Sequence, residues 1–212
     1  KTLAIGGADG TVNLWDVAAR PDADTLLGHR GWVFSVAVSP DGKTAASGTG
    51  RDESPGEIRL WDVATGQQRH TWLAHGFAVA ALAFSPDGKW LFSGGDDRAI
   101  LRWDLSSFKE QAALRGHTLP VTCLAVSADG KTLASAAGQD QAPAGELFLW
   151  DVEGGKLRHK APGVEKAVRS VAFCIWARNW TMIRFFFTLG SLYADTWLGR
   201  SLFFAANSAS LP

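Results

Sequence analysis

The sequence has few cysteines and no excess of charge, and each shortage excludes a class of protein. Its 212 residues contain two cysteines, Cys123 and Cys174, far apart and in no metal-binding or redox spacing, so neither a disulfide framework nor a metal site is indicated. Lys plus Arg and Asp plus Glu both number 21, so the net charge is zero. The sequence therefore does not indicate the basic surface that binding to nucleic acids or anionic membranes requires. We expect no nucleic acid, membrane, metal or cofactor as a ligand.

A Trp-Asp pair recurs along the chain at nearly constant spacing. The pairs begin at Trp15, Trp61, Trp103 and Trp150, at intervals of 46, 42 and 47 residues. Ser-Pro-Asp-Gly-Lys at 39–43 and 85–89, and Ser-Ala-Asp-Gly-Lys at 127–131, recur in phase with them. Self-similarity at a fixed period is the signature of a repeat architecture. The sequence resembles the WD-repeat (WD40) β-propeller family over about residues 1–173, which implies one four-stranded blade per repeat.

Hydrophobicity and turn residues predict four strands in each repeat, and the third repeat shows the pattern most clearly. A short apolar run, Val79–Phe84, is typical of a buried innermost strand. The Pro-Asp-Gly step after it predicts a hairpin turn, because Pro fixes φ near −65° and Gly accepts a positive φ. A second strand (Lys89–Gly94), a third that ends in Trp-Asp (Ala99–Trp103) and a polar outer strand (Phe108–Leu114) complete the unit. Polar residues suit an outer strand because its edge meets water.

The predicted fold is all-β: a β-propeller of four-stranded antiparallel blades, present as a partial propeller of about four blades' worth of strands. Three repeats are complete, and the first lacks its innermost strand. A fifth begins with Ala167–Phe173 and is not followed by the turn motif. The strands indicate either a fragment of a larger ring or a four-bladed ring whose two ends share one blade.

Residues 174–212 differ from the repeats in composition. They contain no Lys and no Glu but hold three of the ten Trp residues. We therefore divide the chain into propeller blades at 1–173 and an atypical aromatic tail at 174–212. Three interpretations of the tail stay open: a shifted reading frame, a segment that covers the edge of the last blade, and an interfacial or partner-binding helix.

Four residues of the third repeat match a hydrogen-bonded tetrad of the family by order and spacing: His75, Ser93, Asp97 and Trp103. Ser, His and Asp together also raise the alternative of a hydrolase. A nucleophile needs an activating base and an oxyanion site, and nothing in the sequence marks such a pair. The tetrad includes Trp and has partial copies in other repeats, so we interpret it as structural and expect no enzyme activity.

The second and fourth repeats contain partial copies of the tetrad. Their assignable members are His29, Ser47 and Trp61 in the second repeat and His117, Ser135 and Trp150 in the fourth. Both repeats carry insertions before the third strand, Gly50–Gly56 and Gly138–Gly145. The candidate acids Asp52 and Asp140 are shifted by these insertions, so whether they belong to the tetrads of their repeats stays open.

Function is expected on the surface, because a fold alone does not specify it. In this family the face that carries the loops between second and third strands, and the start of each innermost strand, is a common docking surface. The matching positions here are Arg30, Trp32, Arg51, Phe77, Asp96 and Arg98. Large aromatics and Arg are enriched at binding hot spots. The alternative for Trp32 and Phe77 is packing against the neighbouring blade.

We therefore predict a non-catalytic scaffold for protein–protein interaction, with other proteins or peptides as partners. The alternative is a regulatory or sensor propeller module of a longer multidomain signalling protein. The chain opens with Lys1 and shows no signal peptide, which favours a cytoplasmic protein.

Overall fold

The computed structural model describes residues 2–16, 24–50, 55–139, 144–162, 164, 167–176, 180–187 and 203–206. Within these ranges the chain forms strands and turns and no helix. The strands make five antiparallel sheets in which strand order follows chain order, and we call these sheets blades 1 to 5.

Blades 1 and 5 have three described strands each. Blade 1 consists of β1 (Thr2–Gly6), β2 (Val12–Asp16) and β3 (Asp24–Leu26). Blade 5 consists of β16 (Val168–Trp176), β17 (Trp180–Phe187) and β18 (Phe203–Ala206).

Blades 2, 3 and 4 have four strands each. Blade 2 consists of β4 (Trp32–Val38), β5 (Thr44–Gly50), β6 (Gly56–Asp62) and β7 (Gln68–His75). Blade 3 consists of β8 (Val79–Phe84), β9 (Trp90–Gly95), β10 (Ile100–Asp104) and β11 (Lys109–Leu114). Blade 4 consists of β12 (Val121–Val126), β13 (Thr132–Ala137), β14 (Glu146–Asp151) and β15 (Leu157–Lys160). The predicted all-β fold of four-stranded antiparallel blades in a partial propeller is confirmed.

The sequence predicts a single strand after the fourth repeat, Ala167–Phe173, and this prediction is wrong. The strand β16 continues to Trp176 and pairs with β17, with Val171 opposite Phe185. Strand pairing needs only backbone hydrogen bonds in register, and aromatic residues favour strands, so no turn motif was required. Blades 1 and 5 are separate sheets, so the alternative in which the two ends share one blade is also wrong. The division at residue 173 stays a prediction.

The Ser-Pro-Asp-Gly-Lys segments form the predicted hairpin turns. In blade 2 the Ser39 amide donates to the Thr44 carbonyl at 2.8 Å, and Gly42 closes the turn with φ of +73°. The Ser39 hydroxyl donates to Asp41 at 2.6 Å. The same bonds recur at Ser85 and Ser127, so each first hairpin has one fixed register.

The core is a series of layers between neighbouring blades. The Trp-Asp tryptophan of each four-stranded blade is buried against the preceding blade: Trp61 on blade 1, Trp103 on blade 2 and Trp150 on blade 3. Burial of so large a side chain supplies much of the stabilisation of each layer. The corresponding Trp15 of blade 1 is 40% exposed.

The innermost strands β4, β8, β12 and β16 lie side by side along the arc of blades. The loops that join second and third strands meet the starts of these innermost strands at one end, which we call the upper face. Backbone bonds tie the two together, with Asp96 N donating to Ala78 O at 3.1 Å and Gly138 N to Pro120 O at 3.0 Å. The upper face therefore rests on a rigid hydrogen-bonded scaffold.

Candidate docking surface

The structure brings the four predicted tetrad residues of the third repeat together. His75 Nε2 lies 2.8 Å from Ser93 Oγ, and His75 Nδ1 lies 2.9 Å from Asp97 Oδ1. The indole N–H of Trp103 donates to Ser93 Oγ at 2.9 Å. His75 ends the outer strand of blade 2, whereas the other three residues belong to blade 3, so the network joins adjacent blades.

The Ser93 hydroxyl is fully engaged within this network. Ser93 is 0% exposed, accepts a hydrogen bond from Trp103, and shares a second hydrogen bond with His75 Nε2 at 2.8 Å. A substrate has no access to such an oxygen. The arrangement satisfies buried polar groups, which would each be costly if left unpaired.

The Asp97 carboxylate anchors the network at the upper face. It accepts hydrogen bonds from His75 and from the backbone amides of Gly76 and Ala99, both at 3.2 Å. Burial alone would raise the pKa of Asp97, but these hydrogen bonds outweigh it and hold the pKa below its ordinary value. Asp97 is therefore a carboxylate at neutral pH.

Blade 4 builds the same network with a different acid. Glu146 Oε2 lies 2.7 Å from His117 Nδ1, and Thr118 donates its amide and hydroxyl to the same carboxylate. Glu146 precedes the Trp-Asp tryptophan by four residues, whereas Asp97 precedes its own by six. The longer Glu side chain reaches the histidine from this later position in the chain. Sequence reasoning missed Glu146, although the Gly-Glu pair that recurs after both insertions was visible. The candidate acids Asp52 and Asp140 lie outside the described residues.

Blade 2 has the equivalent Glu57 but leaves its network open. His29 Nε2 lies 2.6 Å from Ser47 Oγ, whereas Glu57 stays 3.8 Å from His29 Nδ1 and instead accepts from Arg59 Nε at 2.6 Å. The buried His29 Nδ1 has no hydrogen-bond partner among the described residues. Burial and then the charge of Arg59 lower the pKa of His29 to about 4, so its ring is neutral at pH 7.

The two aromatics predicted for docking lie on the upper face. Trp32 is 57% exposed and Phe77 is 50% exposed, so neither is a core residue. Phe34 is 49% exposed, and its ring centroid is 6.1 Å from that of Trp32. Sequence reasoning missed Phe34, because it stands within an apolar run that reads as buried. The alternation along β4 was the signal, since Trp32 and Phe34 flank the buried Val33.

A concavity of about 880 Å³ opens at the upper face. Its lining includes Phe34, Phe77, Asp96, Arg98, Pro120 and Arg169. The structure thus joins three predicted residues in one cavity. Trp32 is exposed next to the lining residue Phe34 and Arg30 is exposed, but neither lines the cavity. Arg51 lies outside the described residues. Burial and the charge of neighbouring Asp97 raise the pKa of Asp96.

Within the described ranges, no group of His, Cys, Asp and Glu side chains is placed to hold a metal ion. The same part of the chain holds no helix with the length and hydropathy to cross a membrane.

Comparisons with known proteins agree with the repeat architecture. The family model described as "WD domain, G-beta repeat" matches three segments, residues 22–62, 66–104 and 108–142. A curated protein, Ribosome assembly protein 4 of Chaetomium thermophilum, is 49% identical over 41 residues. That match covers 19% of this chain and 8% of the length of that protein.

Proposed function

Because the chain belongs to the WD-repeat family of β-propellers, we propose that it is a non-catalytic scaffold that binds other proteins or peptides through its upper face. The observation that carries the proposal is the cluster of half-exposed aromatics there. Trp32, Phe34 and Phe77 each leave about half of their surface in water beside a cavity with charged residues. Exposed aromatics next to Arg are typical of binding hot spots.

The engagement of Ser93 supports the non-catalytic part of the proposal. Its hydroxyl is buried and bonded on both sides, so the Ser-His-Asp set serves the blade rather than a substrate. A regulatory module of a longer signalling protein would use the same surface, so one binding test serves both interpretations. The similarity to a ribosome assembly protein covers one repeat's length and is consistent with a scaffold role.

The test is the substitution Trp32→Ala on the purified chain. Peptides selected from a random-peptide display library are made synthetically, and their Kd is measured by fluorescence anisotropy. We expect Trp32→Ala to weaken binding by at least about tenfold, because truncating a large exposed aromatic of the docking surface removes a large contact area. The thermal midpoint should stay nearly unchanged, because the side chain is 57% exposed.

Trp15→Ala is the matched control. Trp15 is also a partly exposed Trp, but it pairs with Leu3 at the opposite end of blade 1. Its replacement should leave the Kd unchanged. Failure to select any peptide whose affinity depends on Trp32, or a large fall in the midpoint of Trp32→Ala, would contradict the proposal.

A further inference from the structure

We propose that Arg98 is the carboxylate-binding point of the upper-face cavity, so that the partner is a peptide segment with an acidic side chain beside an apolar one. This inference rests on the proposed function and specifies the chemistry of the partner. Four observations carry it: the backbone conformation of Arg98, the contrast with a second residue in the same conformation, the lack of a partner for its guanidinium, and the charge of the cavity.

The backbone of Arg98 has the conformation that favours glycine. Its φ is +69°, in the left-handed region where a side chain is disfavoured. The loop is closed by Arg98 N donating to Gly95 O at 3.1 Å. Blade 1 closes its corresponding loop with Gly10 N donating to Gly7 O at 3.2 Å, and Gly10 has φ of +80°. The turn therefore needs a residue at positive φ, and blade 3 supplies an arginine where blade 1 supplies glycine.

Phe108 is the other described non-glycine residue with positive φ, at +56°. The corresponding turns of blades 2 and 4 use Gly66 and Gly155. The strain at Phe108 has a visible compensation in the fold, because its ring stacks on His70 with centroids 4.6 Å apart. Its carbonyl also accepts from Trp72 Nε1 at 2.9 Å. Packing between blades 2 and 3 thus explains the side chain at Phe108.

No such compensation exists for Arg98 within the described part of the chain. Its side chain is exposed, and no described residue makes an ion pair or hydrogen bond with its guanidinium. The adjacent Asp96 carboxylate is not paired with it either. Strained residues without a structural role are concentrated at functional sites, where the conformation aims a side chain at a ligand.

The charge of the cavity favours an anionic group on the partner. Its lining holds two arginines, Arg98 and Arg169, and one acid, Asp96. The nearby acids Asp97 and Glu146 direct their carboxylate oxygens to histidines and backbone amides and not to Arg98.

The geometry of the cavity favours a peptide over a nucleic acid. A guanidinium binds a carboxylate through two parallel N–H donors, and the pair is stronger in a partly enclosed site than in open water. Phe34 and Phe77 line the same cavity and offer contact to an apolar side chain. Nucleic-acid binding instead needs a row of basic residues, and the chain has no net charge.

The experiment is a cycle between Arg98 and an acidic residue of a selected peptide, on the full 212-residue chain. Peptides are selected from a random-peptide display library, and each is paired with a twin in which Asp or Glu is replaced by Asn or Gln. The Kd of both peptides is measured for the wild type, Arg98→Gly, Arg98→Lys and the control Arg115→Ala. Arg115 is an exposed arginine that does not line the cavity.

We expect the selected peptides to carry an acid close to a large apolar residue. Arg98→Gly should weaken the acidic peptide at least about tenfold, and the amide twin should bind the wild type equally weakly. In the Arg98→Gly variant the two peptides should bind alike, because the charge they differ in has lost its partner. Arg98→Lys should recover part of the affinity, and Arg115→Ala should change neither peptide. The thermal midpoint of Arg98→Gly should rise, which shows that the loss of binding is not a loss of folding.

Three outcomes would overturn the inference. Peptides that depend on Trp32 but bind Arg98→Gly normally leave the docking surface in place and remove the role of Arg98. Selection of peptides that contain no acidic residue would likewise remove the role of Arg98. If Arg98→Gly abolishes binding of a single-stranded oligonucleotide and spares the peptides, the anion is a phosphate of a nucleic acid. The absence of any peptide that depends on Trp32 contradicts the proposed function itself.

Discussion

Replacing Ser93 by Ala tests whether the buried network joins blades 2 and 3 in solution. The hydroxyl of Ser93 is 0% exposed and bonds to both His75 and Trp103. Ser93→Ala removes one oxygen atom and leaves the Trp103 N–H and the His75 Nε2 without partners. Each orphaned buried polar group costs about 1–3 kcal/mol, so we expect the two together to lower the free energy of unfolding by about 2–6 kcal/mol.

A double-mutant cycle with Trp103→Phe isolates the bond between the two side chains. Trp103→Phe removes the N–H donor, so Ser93→Ala in that background orphans one group instead of two. The double variant should therefore be more stable than the sum of the single losses predicts, by about 1–2 kcal/mol. Guanidinium unfolding followed by far-ultraviolet circular dichroism measures all four proteins without depending on tryptophan fluorescence.

The exposed Ser107 provides the control, because its side chain has no described hydrogen-bond partner. Ser107→Ala should change the free energy of unfolding by less than about 0.5 kcal/mol. If the losses from Ser93→Ala and Trp103→Phe add within about 0.5 kcal/mol, the bond between the hydroxyl and the indole does not contribute, and the reasoning is refuted.

Three further changes probe other parts of the structure. Arg98→Gly should raise the free energy of unfolding by about 1 kcal/mol in guanidinium titration, because glycine accepts the φ of +69°; a decrease would show that the loop is unstrained. Gly50→Ala should cost about 1–3 kcal/mol, because the added methyl group would overlap the Ala78 backbone of blade 3, whereas Gly76→Ala has open space and should cost little in the same titration. The pKa of His29 is lowered from 6.5 to about 4, so the unfolded state binds more protons between those values. Stability should therefore fall as the pH drops from about 6.5 towards 4, by at most about 3 kcal/mol, with an NMR titration midpoint of the ring near 4; a midpoint near 6.5 would contradict the buried environment.

The repeat pattern was sufficient to predict three complete blades but not the last one. Trp-Asp and Ser-Pro-Asp-Gly-Lys mark strand ends and turns at fixed spacing, so β4–β15 follow from the sequence. The strands β17 and β18 have no motif at their ends; β17 is held by pairing with β16, and β18 by pairing with β17. Backbone pairing does not require particular residue types, so the repeat pattern could not predict these two strands.

The histidine networks were also predicted only in part, because residue order along the chain does not give distances in space. His75, Ser93 and Asp97 occupy the expected slots, and spacing alone was enough to group them. In blades 2 and 4 an insertion displaces the slot of the acid, and Glu57 and Glu146 approach from the third strand instead. Whether a longer side chain reaches a histidine depends on the path of the loop, which spacing does not reveal.

The layered tryptophans also determine how the molecule loses its structure. Each blade packs against the one before it, so the array behaves as a one-dimensional chain of coupled units. The number of blades released by a weakened interface therefore depends on the position of that interface. Weakening the layer at Trp61 uncouples blade 1 alone, whereas weakening the layer at Trp103 separates blades 1 and 2 from blades 3 to 5. Identical substitutions at equivalent positions therefore release cooperative units of different size, and amide hydrogen exchange would show them as blocks of different length.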